Sequence, residues 1–222
     1  MRRDALLGTL FFILAVLGVP MLAGLPAGLD RPAEGGGLTR WLGPLRAIQD
    51  ERGLRNVEDR AADLRAAAAE SGVPVDLLGA LMFAESRGRS GQVSPAGALG
   101  LLQLMPSAAR DAARRLGVEV PAEEPELERA LLEDEPLNVR LGAAHLRWLL
   151  DHQGDWSLEA VLVSYNAGRA RLFGWIEEAG GYEAWARAQE ARWLEGLPTS
   201  GALAYAREVL AAREELVERG RL

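Results

Sequence analysis

Apolar and polar positions alternate along most of this chain with the 3.6-residue period of amphipathic helices, and no stretch shows the two-residue alternation of a normal strand. Leu54, Val57, Ala61, Leu64 and Ala68 predict one long helix that stops at Ser71 and Gly72. Val75 to Ser86 is the next periodic stretch. Pro106 suits the first turn of a helix ending near Gly117. Further helical patterns fall at Pro136 to His152, Ser157 to Ala167, Arg169 to Glu178, Tyr182 to Leu194 and Ala202 to Arg219, with turns at Gly154, Gly168, Gly180 and Pro198. Residues 88 to 97 are rich in Gly and Ser and hold Pro95, so they predict a loop, and the short apolar run from Ala98 to Met105 is open to an extended conformation. The expected fold class is mainly α.

The N-terminal segment differs in kind. No charged residue occurs between Ala5 and Leu29, and Arg2 and Arg3 precede the run. About 20 apolar residues span a bilayer as a helix, whereas a signal peptide needs an apolar core of only about 7 to 15 and a small-x-small cleavage site. No pair of small residues stands in that arrangement between Met21 and Gly28, which favours an uncleaved anchor over a cleaved signal. In either case the paired arginines stay cytoplasmic and the rest of the chain faces the outer side of the membrane. Residues 1–29 are therefore expected to be a membrane anchor or signal segment. Residues 30–53 are expected to be a linker, Gly-rich at 35–37, leading to an amphipathic segment of Leu38, Trp41, Leu42, Leu45 and Ile48 interrupted by Pro44. A single domain fills 54–222.

Composition removes several function classes. The chain has 222 residues, 49% hydrophobic and 26% charged, which suits one domain with a real core. A net charge of -7 is the wrong sign for nucleic acid. All 25 basic residues are Arg, so neither a phosphate-loop lysine nor a Schiff-base lysine exists. Zero Cys excludes thiolate metal sites and Cys nucleophiles. His145 and His152 stand seven apart with no third ligand at usable spacing, and no cofactor is expected.

Among the acidic residues Glu85 stands out. Leu78, Leu81, Met82 and Glu85 occupy i, i+3, i+4 and i+7, so the carboxylate shares an apolar stripe at the last turn of its helix. The negative end of the helix dipole and apolar surroundings both favour its protonated form, as a general acid requires. Periodicity alone favours an ordinary, partly exposed glutamate whose place on the stripe is chance.

The following residues decide between these. Glu85-Ser86 precedes Ser94, and residues 94 to 106 are S-P-A-G-A-L-G-L-L-Q-L-M-P; residues 164 to 168 are S-Y-N-A-G. This set resembles the catalytic domain of the soluble lytic transglycosylases of bacterial cell-wall turnover, with a goose-type-lysozyme-like fold, over roughly Leu54 to Leu210. Pro136, Asn138, Val139, Gly142 and Leu146 match a further family segment, with His145 where a tyrosine is usual, and Leu197-Pro198 with Tyr205 resembles its closing element. The chain departs from the pattern at 87–90 (R-G-R-S), at Leu102 and Ala108, and at Gly201, Ala202 and Leu203, which replace an E-T-R triplet.

The resemblance implies a peptidoglycan lytic transglycosylase that cleaves the MurNAc-GlcNAc β-1,4 bond with formation of 1,6-anhydromuramic acid. Glu85 would be the catalytic acid and base. Gln103 and Asn166 carry both donor and acceptor, suited to N-acetyl and hydroxyl groups or to tying loops together. Met105 would form an apolar wall of the groove. Tyr165 would place its hydroxyl near Glu85 or the N-acetyl group, or else be a core aromatic. Ser94 would bond Glu85 or substrate, or cap the turn before Pro95. The implied partners are peptidoglycan glycan strands, with the membrane reached through the N-terminal helix. The alternatives are a hydrolytic muramidase on the same fold and a catalytically idle peptidoglycan-binding envelope protein.

Overall fold

The computed structural model describes residues 38–194 and 201–222, and side chains from residue 47 onward except that of Trp193. The apolar run from Ala5 to Leu29, the tether, and Leu197-Pro198 lie outside the described residues. Ten helices are present among those described: α1 (Leu38–Glu58), α2 (Ala61–Ser71), α3 (Val75–Ser86), α4 (Pro106–Leu116), α5 (Glu124–Glu133), α6 (Glu135–Asp151), α7 (Leu158–Ala167), α8 (Arg169–Glu178), α9 (Tyr182–Leu194) and α10 (Gly201–Arg219). None of these helices is long and apolar enough to cross a membrane.

Three expectations need correction. The expected helix from Leu54 to Ser71 is two helices, because the chain turns at Asp59 and Arg60 while the apolar period runs on through Val57 and Leu64. The boundary placed at residue 53 falls inside α1, whose backbone stays helical through Pro44. Helix α5 was not expected, since its apolar side chains after Pro125, namely Leu127, Ala130, Leu131 and Leu132, are confined to fewer than two turns and set no clear period; Leu127 and Leu131 are nevertheless fully buried.

Helix α3 is the centre of the molecule. Leu77 to Phe83 are all buried, so the helix is apolar on every side and not along one stripe. Helices α1, α2 and α10 pack on it, and α10 also packs on α7. Gly79 eases this packing: a Cβ there would stand 3.2 Å from Leu216 of α10 and 3.3 Å from Val57 of α1, and 2.3 Å from a methyl of Leu222. Each of these leucines contributes about 1.5–3 kcal/mol by leaving water.

A smaller cluster lies between α4, α5 and α6. The run from Ala98 to Met105 joins the two clusters. Leu99 and Leu104 belong to the smaller, Leu101 and Leu102 to the larger, so the run meets apolar surroundings on both sides without being a strand. Its pairing is limited to single bridges, Val93 with Leu99 and Leu99 with Leu104.

Helix α6 holds this run in place. The buried Asn138 side chain accepts from the Leu102 N–H at 2.8 Å and donates to the carbonyls of Leu99 at 2.9 Å and Leu131 at 3.1 Å. Gly100, at φ +75°, passes so close that a Cβ would stand 2.3 Å from Asn138 Nδ2. One turn on, Gly142 leaves room for Leu102; a Cβ there would stand 2.4 Å from its side chain. The spacing of Asn138 and Gly142 follows from these two contacts.

Candidate active site

Glu85 lies in the last turn of α3, half-buried, beyond the fully buried segment. The helix ends because Arg87 turns into the left-handed region at φ 54° and its N–H bonds the Phe83 carbonyl. Gly88 follows at φ +63°, where a Cβ would stand 2.8 Å from the backbone of Asn56. The α3 terminus is thus clamped against α1, and Asn56 Nδ2 donates to the Arg87 carbonyl at 3.0 Å. Ser86, the second residue of the E-S pair, is buried and bonds back to the Met82 carbonyl at 3.2 Å.

Burial pushes the Glu85 carboxyl up to about 8; a hydrogen bond from Tyr205 pulls the other way, and the charge of Glu208 adds to the rise. The dominant cause is desolvation, so the group is a neutral acid at pH 7. Tyr205, on α10, donates its hydroxyl to Glu85 Oε1 at 2.5 Å. With Oε1 accepting that bond, the carboxyl proton belongs on Oε2, which has no hydrogen bond to the described residues. Tyr165, on α7, is close enough for the Glu85 charge to help raise its own pKa after burial does so, and Tyr205 is raised for the same two reasons. Both phenols stay protonated.

The remaining candidate residues divide by use. Tyr165 gives its hydroxyl to the Leu102 carbonyl at 2.9 Å, which fixes the ring between the 98–105 run and Glu85. Gln103 adopts φ 44°, and its amide nitrogen donates to the Gly100 carbonyl at 2.8 Å and to the Gln92 carbonyl at 3.2 Å. The nitrogen ties the loop, and Oε1 has no bond to the described residues. Met105 is 42% exposed at the entry to α4. Asn166 is half-buried beside Tyr165, with no side-chain hydrogen bond to the described residues. Ser94 Oγ accepts from the Ala98 N–H at 2.9 Å, and the Ser94 N–H donates to the Ala98 carbonyl at 2.9 Å, closing the turn. No hydrogen bond joins Ser94, Gln103, Met105 or Asn166 to Glu85.

His145 stands against Tyr165 with ring centroids 5.3 Å apart. Burial, aided by the charge of Arg115, pushes it down to about 4, so it is neutral. Tyr205 is a member of the site outside the candidate residues that the sequence motifs mark. Its place in the closing element was the available signal, but the bond to Glu85 spans 120 residues and no periodicity records it.

A family model described as the transglycosylase SLT domain matches residues 64–188, more than half of the chain. The chain belongs to that family. Among solved structures, it is 25% identical to the lytic transglycosylase Slt of Pseudomonas aeruginosa in an inactive Glu-to-Gln mutant, with a TM-score of 0.55 over 71% of this chain and 24% of that one. It is 24% identical to the 70 kDa soluble lytic transglycosylase of Escherichia coli, with a TM-score of 0.55 over 68% of this chain and 23% of that one. A complex of the 70-kDa enzyme with bulgecin A gives 23% identity and a TM-score of 0.57, over 73% of this chain and 25% of that one. The chain spans about a quarter of the length of these proteins.

Proposed function

We propose that this chain is a peptidoglycan lytic transglycosylase that cleaves the β-1,4 bond between N-acetylmuramic acid and N-acetylglucosamine and leaves a 1,6-anhydromuramic end. The observation that carries the reading is Glu85 itself: half-buried at the end of α3, with Oε1 bonded by Tyr205 and Oε2 free of the described residues, where burial favours the protonated form. Oε2–H protonates the glycosidic oxygen as the C1–O bond breaks, and the substrate's N-acetyl oxygen stabilises the cation at C1. The muramic C6 hydroxyl then bonds to C1 and returns its proton to Glu85. No water is consumed.

Glycosidases with two carboxylates place the second about 5–9.5 Å away to attack or to activate water. The carboxylate whose charge bears on Glu85, Glu208, is bound to Arg87. A single acid with a tethered hydroxyl needs no such partner, which supports the lyase over a muramidase. The inactive Glu-to-Gln mutant among the matched structures supports one essential glutamate. Gln103 Oε1, Asn166 and Met105 are the proposed substrate contacts, and Ser94 shapes the turn that presents them. Residues 1–29 anchor the domain at the outer face of the cytoplasmic membrane.

A zymogram on purified sacculi tests the activity. Clearing by the wild type and none by Glu85→Gln at equal loading is expected. Equal clearing by both would remove Glu85 from the chemistry, and none by either would leave a binding protein.

A further inference from the structure

Arg87 and Glu208 meet beside the acid without being part of the reaction described above. Arg87 lies two residues after Glu85 and Glu208 three residues after Tyr205. Arg87 Nη2 donates to Glu208 Oε1, so this ion pair joins the same two helices, α3 and α10, as the Tyr205–Glu85 hydrogen bond. The guanidinium is fixed on its other sides. Nη1 donates to the Phe83 carbonyl at 3.0 Å, the cation lies 4.0 Å from the Phe83 ring centroid, and Nε is 3.5 Å from Asp50 of α1. The side chains keep 28% and 38% of their surface exposed, and pairs of that kind add little to stability. A stabilising role is therefore a weak reason for the arrangement, whereas its place is a strong one.

We propose that Arg87 and Glu208 are a positioning pair that holds a partly neutralised negative charge beside Glu85, so that the acid keeps its proton until the glycosidic oxygen takes it. The inference rests on Glu85 being the acid. The groups facing Glu85 are Tyr205 and Glu208 from α10 and Tyr165 from α7; Arg87 follows it on its own strand of chain, and Asp50 of α1 faces Arg87. The phenols are neutral, so Glu208 supplies the negative charge and Arg87 decides how much of it Glu85 feels. Burial supplies the larger part of the upward shift in Glu85 and Glu208 the adjustable part.

The test is a carboxyl carbon NMR titration of Glu85 in the full-length chain, assigned by difference from Glu85→Gln, together with the pH profile of kcat/KM on sacculi. Glu208→Gln should lower the Glu85 midpoint by about half a unit to one unit, and Arg87→Gln, which unmasks Glu208, should raise it by a similar amount. The double variant should return to the Glu208→Gln value, and the alkaline limb of kcat/KM should move with the midpoint. A merely structural pair would change rate without moving either. An unchanged midpoint in Glu208→Gln, which keeps the Arg87 cap and its bond to Phe83, would overturn the proposal. Shifted midpoints in a chain without activity would sustain the pair and sink the enzymatic reading, and the converse result would do the reverse.

Discussion

The Tyr205 hydroxyl donates to Oε1 of Glu85 across 2.5 Å, joining α10 to the last turn of α3 and selecting which carboxyl oxygen carries the proton. This bond strengthens as Glu85 becomes a carboxylate, so in the proposed reaction it would serve the step in which the acid gives up its proton. Tyr205→Phe should therefore lower kcat by about 10- to 100-fold, the loss of about 1.5–3 kcal/mol for a hydrogen bond to a charged group. Because the bond pulls the Glu85 pKa down, its loss should also move the alkaline limb of kcat/KM upward from about 8. Tyr165→Phe removes a neutral bond to the Leu102 carbonyl and should cost only a few-fold. Initial rates on sacculi between pH 5 and 9 check both, and equal effects of the two variants would contradict the division of roles.

Burying Glu85 also makes stability depend on pH. Its folded pKa, about 8, lies above its ordinary 4.5, so the folded state holds a proton that the unfolded chain has released between those values. The contribution of protonated Glu85 to stability should be full below pH 4.5, fall as pH rises through that window, and level off above 8. Each unit of the shift is worth about 1.4 kcal/mol. Glu85→Gln, which cannot ionise, should be more stable than the wild type at pH 8.5 by about 2–4 kcal/mol and close to it at pH 4.5. Urea titrations at the two pH values measure this; a difference independent of pH would show that Glu85 is solvated in the folded state.

The frame that carries the loop is as testable as the acid. Asn138→Ala would leave the Leu102 N–H and the carbonyls of Leu99 and Leu131 without partners in a buried place. Such groups cost about 1–3 kcal/mol each, so a loss of about 3 kcal/mol or more is expected, with Tyr165 and Gln103 displaced along with the loop. Thermal melting beside activity checks this. A stable variant with normal turnover would show that the loop holds itself.

Much of this organisation was legible in the sequence because it is written in local patterns. The ends of α3 and α4 follow from Gly and Pro positions, and α6 to α8 from periodicity over ten residues or more. Helix α5 escaped because its apolar residues Leu127, Ala130, Leu131 and Leu132 span fewer than two turns, too short a pattern. Glu85 stands out through an i, i+3, i+4, i+7 stripe, yet it lies beyond the enclosed part of α3, and its surroundings come from Tyr165 and Tyr205, which are distant in sequence. Tyr205 is adjacent to the buried stripe of Ala202, Ala206 and Val209 on α10, and its partner lies in another helix. Contacts between distant segments leave no periodic trace, so the acid was visible and its donor was not.

The apolar run from Ala5 to Leu29 should remain on the mature protein, since it exceeds the span of a bilayer and lacks a small-x-small site. Intact mass of the protein purified from envelopes should match the uncleaved chain. A mature N-terminus between about residues 22 and 30 would identify a signal peptide instead.

The central claim is that one carboxyl and a tethered hydroxyl complete the reaction without water. Tethering confers effective molarities of about 10⁵ M or more in favourable geometry, far above the concentration of liquid water, so the C6 hydroxyl should capture C1 first. Mass spectrometry of muropeptides released from purified sacculi in ¹⁸O-labelled water reads the outcome directly. The expected fragments carry 1,6-anhydromuramic ends, lighter by one water than hydrolytic ends, unlabelled and non-reducing. Reducing ends carrying the solvent oxygen would contradict it and make the protein a muramidase with Glu85 as its acid.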